Sequence, residues 1–305
     1  MRILITGASG YIGQALTKRL RGRGDEIVHL VRREPDPDAD VEEVRWDTSD
    51  PDSVDVEDLG RVDAVFNLAG AEVAKRWTKS YLELISSSRI ATTKTLVEIC
   101  RRLATPPNVL ITTSGVAIYG DRGDEQLTES SARGAGILAD IAVPWEAATE
   151  SASDFGVRTS TVRFGIVMSG DGGPLPVLAK PFRRGLGGRL GNGRQWTPWI
   201  HLDDAISALL FVAGEESLEG AVNVVSPGVV RNIELTRAIG DALGKPSFGW
   251  LPAVLARIVI GNYVQELAIN SALVIPEKLM QAGFEFEHPD LRECLRREIG
   301  VRVSQ

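Results

Sequence analysis

Cysteine, histidine and methionine are scarce in this chain, with two, three and three copies in 305 residues. Cys100 and Cys294 each fall in a stretch of helical pattern, and there is no CxxC and no histidine cluster at metal-ligand spacing. A disulfide framework and a zinc module are therefore both excluded as readings, no metal is expected, and a reducing compartment is. Long hydrophobic runs are also missing, since no stretch reaches the ~20 apolar residues that span a bilayer. The run Met1-Arg2-Ile3-Leu4-Ile5 is too short for a secretory leader before glycine interrupts it. A cytoplasmic protein without membrane attachment is the expectation. Positive charge is in deficit, 34 basic against 41 acidic residues for a net −7. An acidic surface without a basic stripe of interleaved aromatics repels phosphodiesters, so nucleic acid is not an expected partner.

What is present is ordinary for a globular enzyme-sized chain: 43% hydrophobic and 25% charged residues, which excludes disorder and fibrous architectures. The first half alternates short β-branched runs with amphipathic stretches, the pattern of an α/β fold with a doubly wound parallel sheet. Strands are predicted over Ile3–Thr6, Glu26–Val31, Glu43–Trp46, Asp63–Leu68, Asn108–Thr113 and Arg158–Val167, and helices over Tyr11–Arg21, Lys79–Leu103 and Ile137–Asp154. From Gly170 to Gly193 the chain is glycine-rich without periodicity, which predicts a long loop. A strand end and helix follow over Trp199–Val212, then a buried strand over Ala221–Val225, and mainly helical stretches from Asn232 broken by Pro252, Pro276 and Pro289. The expected organisation is a Rossmann-type domain over residues 1–168, completed by 199–225, with a smaller, mainly helical lobe from residues 169–198 and 226–305.

The most informative segment is Gly7-Ala8-Ser9-Gly10-Tyr11-Ile12-Gly13, which leaves the first strand and opens the first helix. In that context Gly7 permits a tight turn, Gly10 lets a pyrophosphate approach the backbone, and Gly13 lets the helix pack close to the strand. The free N–H groups and partial positive charge of the helix N-terminus complete an anion site. Chains that bind NAD place an acid after the second strand to hold the ribose hydroxyls. Here Val31 is followed by Arg32 and Arg33. A guanidinium pairs with a 2′-phosphate that a carboxylate would repel, so the expected cofactor is NADP(H), with Arg32 as the phosphate ligand. A solvated arginine at a strand end is the alternative.

With Asn67-Leu68-Ala69-Gly70, Ser114 and Tyr119-Gly120 added to the glycine loop, the chain resembles the extended short-chain dehydrogenase/reductases. Arg76-Trp77, Ser88-Arg89, Trp145-Glu146, Gly187-Gly188, Trp199-Ile200-His201 and Pro276-Glu277-Lys278-Leu279 with Gly283-Phe284 narrow the likeness to an atypical branch, the epimerase family or family 39U, along nearly the whole chain. The resemblance implies adenosine-phosphate contacts at Val31 and Arg32, nicotinamide-ribose contacts near Leu68, Ala69 and Gly70, a cofactor contact at Arg89, and Val167 near the nicotinamide. Ser9, Tyr11 and Ile12 fall with the glycines of the phosphate loop. Strand-end packing is the alternative role for Leu68, Ala69 and Val167.

Ordinary members of the superfamily move a proton with a Tyr-x-x-x-Lys pair in which the lysine lowers the tyrosine pKa. Counted back from Trp145-Glu146, those positions hold Leu138 and Ala142, neither able to transfer a proton. The remaining catalytic candidates are Ser114, Tyr119 and His201. Ser114 can hydrogen-bond a substrate oxygen or satisfy backbone. Tyr119 packs under the cofactor in relatives, and His201 can titrate near neutrality or fix a loop before a helix capped by Asp203 and Asp204. Glu146 is a base only if buried, and a helix-surface glutamate is the commoner case. Arg76, Trp77, Arg163 and Arg194 are the expected substrate contacts, and Arg183, Arg184, Arg189 and Arg194 read as a guanidinium cluster suited to an anion.

Two functions fit these residues. One is an NADP-dependent oxidoreductase or epimerase acting on a small, anionic substrate. The other is a non-catalytic, NADPH-dependent sensor or scaffold that binds a protein partner, in keeping with the resemblance of some relatives to cell-division proteins.

Overall fold

The computed structural model describes residues 1–300. Strand β1 (Arg2–Thr6) feeds helix α1 (Tyr11–Gly22), which returns the chain to β2 (Glu26–Val31) and then β3 (Glu42–Arg45). The short helix α2 (Val56–Leu59), β4 (Ala64–Asn67), the long helix α3 (Lys79–Arg102) and β5 (Val109–Gly115) follow. Next come a two-residue β6 (Gln126–Leu127), α4 (Ile137–Glu150), β7 (Arg158–Phe164) and β8 (Ile166–Met168). The central sheet has seven strands in the order β12-β7-β5-β4-β1-β2-β3, where β12 is Gly220–Val224, and every neighbouring pair is parallel.

Parallel strands covered on both faces have no solvent side, and the burial shows it: Ala64 to Asn67 of β4 are all buried, as are Ile3 to Thr6 of β1. One face is closed by Leu16 and Leu20 of α1 with Ile206 and Leu209 of α6 (Leu202–Gly214). The other is closed by Leu96, Ile99 and Cys100 of α3 with Trp46 and Leu59. Burial outweighs a backbone hydrogen bond and pushes the Cys100 thiol up to about 12, so it acts as a small hydrophobe.

Two sequence expectations are corrected here. The segment from 170 to 193 is not one long loop: Pro174–Arg183 forms helix α5 and Gly188–Leu190 strand β9. Pro174 occupies the first turn, where a missing N–H costs nothing, and Leu175, Ala179 and Phe182 recur at helical spacing to pack against α7 (Asn232–Leu243) and α10 (Leu291–Ile299). The strand expected over Arg158–Val167 also breaks at Gly165, where a Cβ would stand 2.7 Å from the Pro198 carbonyl oxygen. β8 leaves the sheet there to pair with β11 (Trp199–His201).

The remaining elements assemble around this departure. β10 (Trp196–Thr197) pairs with β13 (Val230–Arg231), β9 with β14 (Gly249–Leu251), and β6 with β15 (Leu273–Val274). Helices α8 (Ala253–Val259) and α9 (Glu277–Gln281) lie between β14 and α10 in sequence. Glu266 reaches back from this region to accept hydrogen bonds from the Ile137 and Leu138 N–H groups, both at 2.8 Å. It thereby caps α4, whose own preceding residue, Gly136, offers no side chain.

Candidate cofactor and active site

The carboxyl ends of β1, β4, β5 and β2 meet where the strand order reverses from β4 to β2 across β1, the place at which doubly wound sheets bind ligands. Gly7 turns there with φ +71°, and a Cβ on it would lie 2.6 Å from the Leu68 carbonyl carbon. Only glycine satisfies both the backbone angle and the approach of β4. At Gly13 a Cβ would meet the Gly7 oxygen at 2.5 Å and the Ala8 Cα at 2.7 Å, so the first turn of α1 sits directly on the loop. No side chain caps α1, and its first backbone bond runs from Gln14 N–H to Gly10 O at 2.9 Å. The N–H groups of Tyr11, Ile12 and Gly13 have no helical acceptor, beside exposed Ser9 and Gly10, an arrangement that suits an anion.

The Tyr11 side chain does something else. Its ring is clasped by Gly172 and Gly173, where added Cβ atoms would stand 2.8 Å from ring carbons. Burial pushes the phenol up to about 12. The Tyr11 ring thus ties the loop to the chain after β8.

At the end of β2 the two arginines differ. Arg33 is tied to Glu43 at 2.7 Å, whereas Arg32 is exposed and has no side-chain partner among the described residues. Val31 is half-buried beside it. At the end of β4, Leu68 and Ala69 are half-buried and Gly70 is exposed. Arg89 of α3 packs directly over Gly70: a Cβ there would lie 3.0 Å from the guanidinium carbon. The same guanidinium stands 5.1 Å from the Trp145 ring centroid and donates to the Ile85 carbonyl at 3.2 Å. It has no carboxylate partner among the described residues, and desolvation pushes it down to about 10. An uncompensated, desolvated cation at the mouth of a nucleotide crevice favours an anionic or acceptor-rich ligand. Below it, Trp145 Nε1 and Asn67 Nδ2 both donate to Thr93 Oγ1, at 3.1 and 2.8 Å, and Asn67 Oδ1 accepts from Thr6 Oγ1 at 2.7 Å. The Val167 side chain is buried in the core between β8 and β11.

At the Tyr-x-x-x-Lys positions, Leu138 and Ala142 are buried and apolar. Ser114, at the end of β5, donates to Glu146 Oε1 at 2.9 Å. Arg163 grips that carboxylate from β7, Nε to Oε1 at 3.0 Å and Nη2 to Oε2 at 2.6 Å. Glu146 is therefore not a solvated helix-surface residue, since the neighbouring strand supplies its counter-ion. Desolvation alone would lower the Arg163 pKa, but the hydrogen bonds and charge of Glu146 outweigh it and raise it. The remaining Arg163 Nη1 donates to the Tyr119 hydroxyl at 2.8 Å.

Three expected roles change as a result. Arg163 is committed to Glu146 and Tyr119, not held free for a substrate. Tyr119 is fully buried with its hydroxyl 2.8 Å from Asn223 Oδ1, and burial raises its pKa, which removes it from solvent-exchangeable proton transfer. His201 is buried, its Nδ1 accepting from the Asp203 N–H at 3.1 Å and its Nε2 contacting Glu298 at 3.1 Å. It is the cap of α6, while Asp204 accepts from the Glu287 and His288 N–H groups at 2.8 and 2.9 Å. Ligand atoms of His201, Asp203 and His288 lie within 4.8 Å of one another, but Arg297 donates to His288 Nε2 at 2.9 Å and reaches Asp203 at 3.4 Å, already supplying a cation.

Arg76 is exposed without a side-chain partner among the described residues, and Trp77 is half-buried with its indole donating to the Val73 carbonyl at 3.0 Å. Arg194 is exposed in the turn after β9. The structure unites Ser114 with Arg163 through Glu146, and Arg89 with Gly70. Glu266, Thr93 and the Arg163 partner of Glu146 leave no motif in the sequence. Asn67 and Trp145-Glu146 carry a sequence signal, as part of the family likeness.

Among the described residues, no helix is long and apolar enough to cross a membrane. Residues 3–225 match the model of the NAD dependent epimerase/dehydratase family, and residues 251–298 match a domain of unknown function, DUF1731. Epimerase family protein MT2273 of Mycobacterium tuberculosis is 37% identical over 294 residues, 96% of each chain. Epimerase family protein SDR39U1 of Bos taurus is 33% identical over 304 residues, covering 98% of this chain and all of its own. The crystal structure of human epimerase family protein SDR39U1 (isoform2) with NADPH superposes with a TM-score of 0.86 at 28% identity, covering 98% of this chain and 99% of that one. With its seven-stranded parallel Rossmann sheet, its glycine loop and a C-terminal part that matches along its length, the chain belongs to the NAD dependent epimerase/dehydratase family, in the branch that carries the DUF1731 domain.

Proposed function

We propose that the protein binds NADP(H) and acts as an oxidoreductase or epimerase on a small, anionic substrate. The observation that carries the cofactor half is the pair of anion sites flanking Gly7: the uncapped start of α1, and unpaired Arg32 at the end of β2 where an acid would select NAD. Residues 1–168 with 199–225 would hold the cofactor, and 169–198 with 226–305 would bear on the substrate. Gly7, Ser9, Gly10, Tyr11, Ile12 and Gly13 would hold the pyrophosphate, Val31 and Arg32 the adenosine ribose phosphate, and Leu68, Ala69, Gly70, Arg89 and Val167 the nicotinamide end.

Bound NADP(H) supplies or receives a hydride at its nicotinamide ring. The chain's own contribution to chemistry centres on Ser114. Because its proton is directed to Glu146, which Arg163 pairs from the other side, the Ser114 oxygen presents lone pairs as an acceptor. That polarity suits a substrate hydroxyl better than a carbonyl. Exposed Arg76 and Arg194 are the candidate contacts for a substrate anion, with Trp77 beside Arg76.

The test is NADP⁺ reduction and NADPH oxidation by purified protein across panels of hydroxy acids, sugar phosphates and their carbonyl counterparts. Turnover that falls at least tenfold in Ser114→Ala supports the reading. Tight cofactor binding with no turnover on any panel removes it and favours a second reading, an NADPH-dependent sensor or scaffold. Buried, non-titrating Leu138 and Ala142 in place of the catalytic pair support that second reading. It requires a set of captured protein partners that changes when Arg32 is replaced by alanine.

A further inference from the structure

The described surface holds one concentration of exposed large apolar side chains. Phe248 is 88% exposed, Ile258 74% and Val259 75%, and Trp250, Val254, Leu255 and Ile260 are exposed with them. They follow one another along β14 and α8. Strand β14 pairs with β9, placing Trp250 opposite Arg189, and the Trp250 indole donates to the Gly191 carbonyl at 2.8 Å. Leu186, 74% exposed, precedes that strand pair on the β9 side. In α8, Ala256 is the fully buried residue, so the helix is anchored on one side and presents Val254, Leu255, Ile258 and Val259 outward. Exposed apolar groups scattered singly need no explanation, but a run of this kind marks a surface that another phase or molecule covers.

Charge says which. Residues 172–202 and 242–265, which supply β9, β14 and α8, contain no aspartate or glutamate, in a chain whose net charge is −7. They contain Lys180, Arg183, Arg184, Arg189, Arg194, Lys245 and Arg257, all exposed. None of these seven side chains has a carboxylate partner among the described residues, a state they share with Arg32 and Arg76, but here no acid of the same segments lies between them. Aromatic and branched aliphatic side chains whose own segments carry exposed guanidinium and ammonium groups and no carboxylate match the interface of an anionic bilayer, where the apolar groups enter the acyl boundary and the cations meet phosphates. A second copy of this acidic chain would add matching positive charge at a self-complementary contact. Of the arginines expected from sequence to crown a substrate cleft, three therefore have a different surrounding: Arg183 and Arg184 end α5 just before Leu186, and Arg189 lies across from Trp250.

We propose that β14, α8 and the β9 turn form a peripheral docking surface for anionic lipid, independent of the cofactor site. It is a surface contact, with no spanning segment, and it departs from the sequence expectation of no membrane attachment.

The experiment is co-sedimentation of the full chain with vesicles of phosphatidylcholine alone or with about 30 mol % phosphatidylglycerol, at low and high salt. The expected result is binding to the anionic vesicles only, weakened by salt, with a blue shift of tryptophan emission that is absent in Trp250→Phe. Charge reversal in Arg183→Glu/Arg184→Glu/Arg189→Glu is expected to cost roughly fivefold per position or more in partition coefficient. The triple change Phe248→Ser/Ile258→Ser/Val259→Ser is expected to abolish sedimentation while keeping the melting temperature and NADPH affinity of the parent. No sedimentation with anionic vesicles at low salt overturns the proposal. So does undiminished binding by the serine variant, which would mean charge adsorption without insertion. A parent that runs as a dimer and becomes monomeric in the serine variant assigns the face to a second copy instead.

Discussion

Arg89 gives a prediction in which stability and binding move in opposite directions. Its guanidinium is held between Gly70 and the Trp145 ring with a single backbone acceptor at 3.2 Å and no carboxylate partner among the described residues. Desolvation brings it from the ordinary 12.5 to about 10. At about 1.4 kcal/mol for each tenfold change in proton affinity, the ligand-free fold carries roughly 3 kcal/mol of unfavourable burial at this residue. A cation whose pKa is lowered on folding destabilises the fold at every pH below that lowered value, so this cost is present throughout the neutral range. Arg89→Met keeps an unbranched apolar stem over Trp145 and removes the charge. If half of the burial cost is recovered, stability rises by about 1–2 kcal/mol, or roughly 2–6 °C in melting temperature for a chain of this size. Loss of the donor to the cofactor is expected to weaken NADPH by roughly 10–100-fold, the range for one charge-assisted contact. Differential scanning fluorimetry without ligand, paired with calorimetric titration of NADPH, reads both effects on one sample. A lower melting temperature with unchanged NADPH affinity would refute the reasoning and make Arg89 a packing residue.

Three other changes test separate links. Gly13→Ala puts a methyl group 2.5 Å from the Gly7 oxygen and 2.7 Å from the Ala8 Cα; loop and helix must part, and NADPH affinity should fall at least about tenfold with a stability loss of roughly 1–3 kcal/mol, both read by titration and urea unfolding. Glu146→Ala leaves the buried Arg163 cation without its partner, and a loss of about 3–5 kcal/mol is expected by urea unfolding, with Glu146→Gln losing less. Burial alone would raise the Glu298 pKa, but the Gly170 N–H at 2.7 Å and the His201 ring hold it lowered. Its stabilisation should be complete above the ordinary value of 4.5 and disappear as pH falls through the lower folded value. The gap in urea midpoint between the parent and Glu298→Gln should therefore narrow from pH ~6 to pH ~3.5; a gap that is constant with pH contradicts the assignment.

What could be read in advance was local. The seven-residue glycine loop announced itself because each glycine answers a short-range steric demand, and the buried strands because continuous β-branched runs leave few other structures. The sheet architecture followed from their alternation with helical periodicity. Helix α5 escaped notice because three prolines and flanking glycines hide its Leu175, Ala179 and Phe182 spacing, which matters only once α7 and α10 are there to receive it. The site chemistry was least legible. Glu146 looks like any helix glutamate until β7 places Arg163 against it, and Glu266 caps α4 from 129 residues away in sequence. For His201 the sequence leaves a proton-transfer role and a loop-fixing role both open, and only the Nδ1 contact that caps α6 decides for the second. Charge partners brought together by topology leave no spacing in the chain, whereas turns and caps made by neighbours do.

On the proposed reading, Arg32 sets a preference for NADP(H) at the glycine loop. Its most direct test is competitive titration of NADPH and NADH against the parent protein and Arg32→Ala. The account predicts at least about tenfold tighter binding of NADPH to the parent, lost in Arg32→Ala with NADH affinity unchanged, as expected for one guanidinium–phosphate pair. Equal affinities for the two nucleotides in the parent would contradict it.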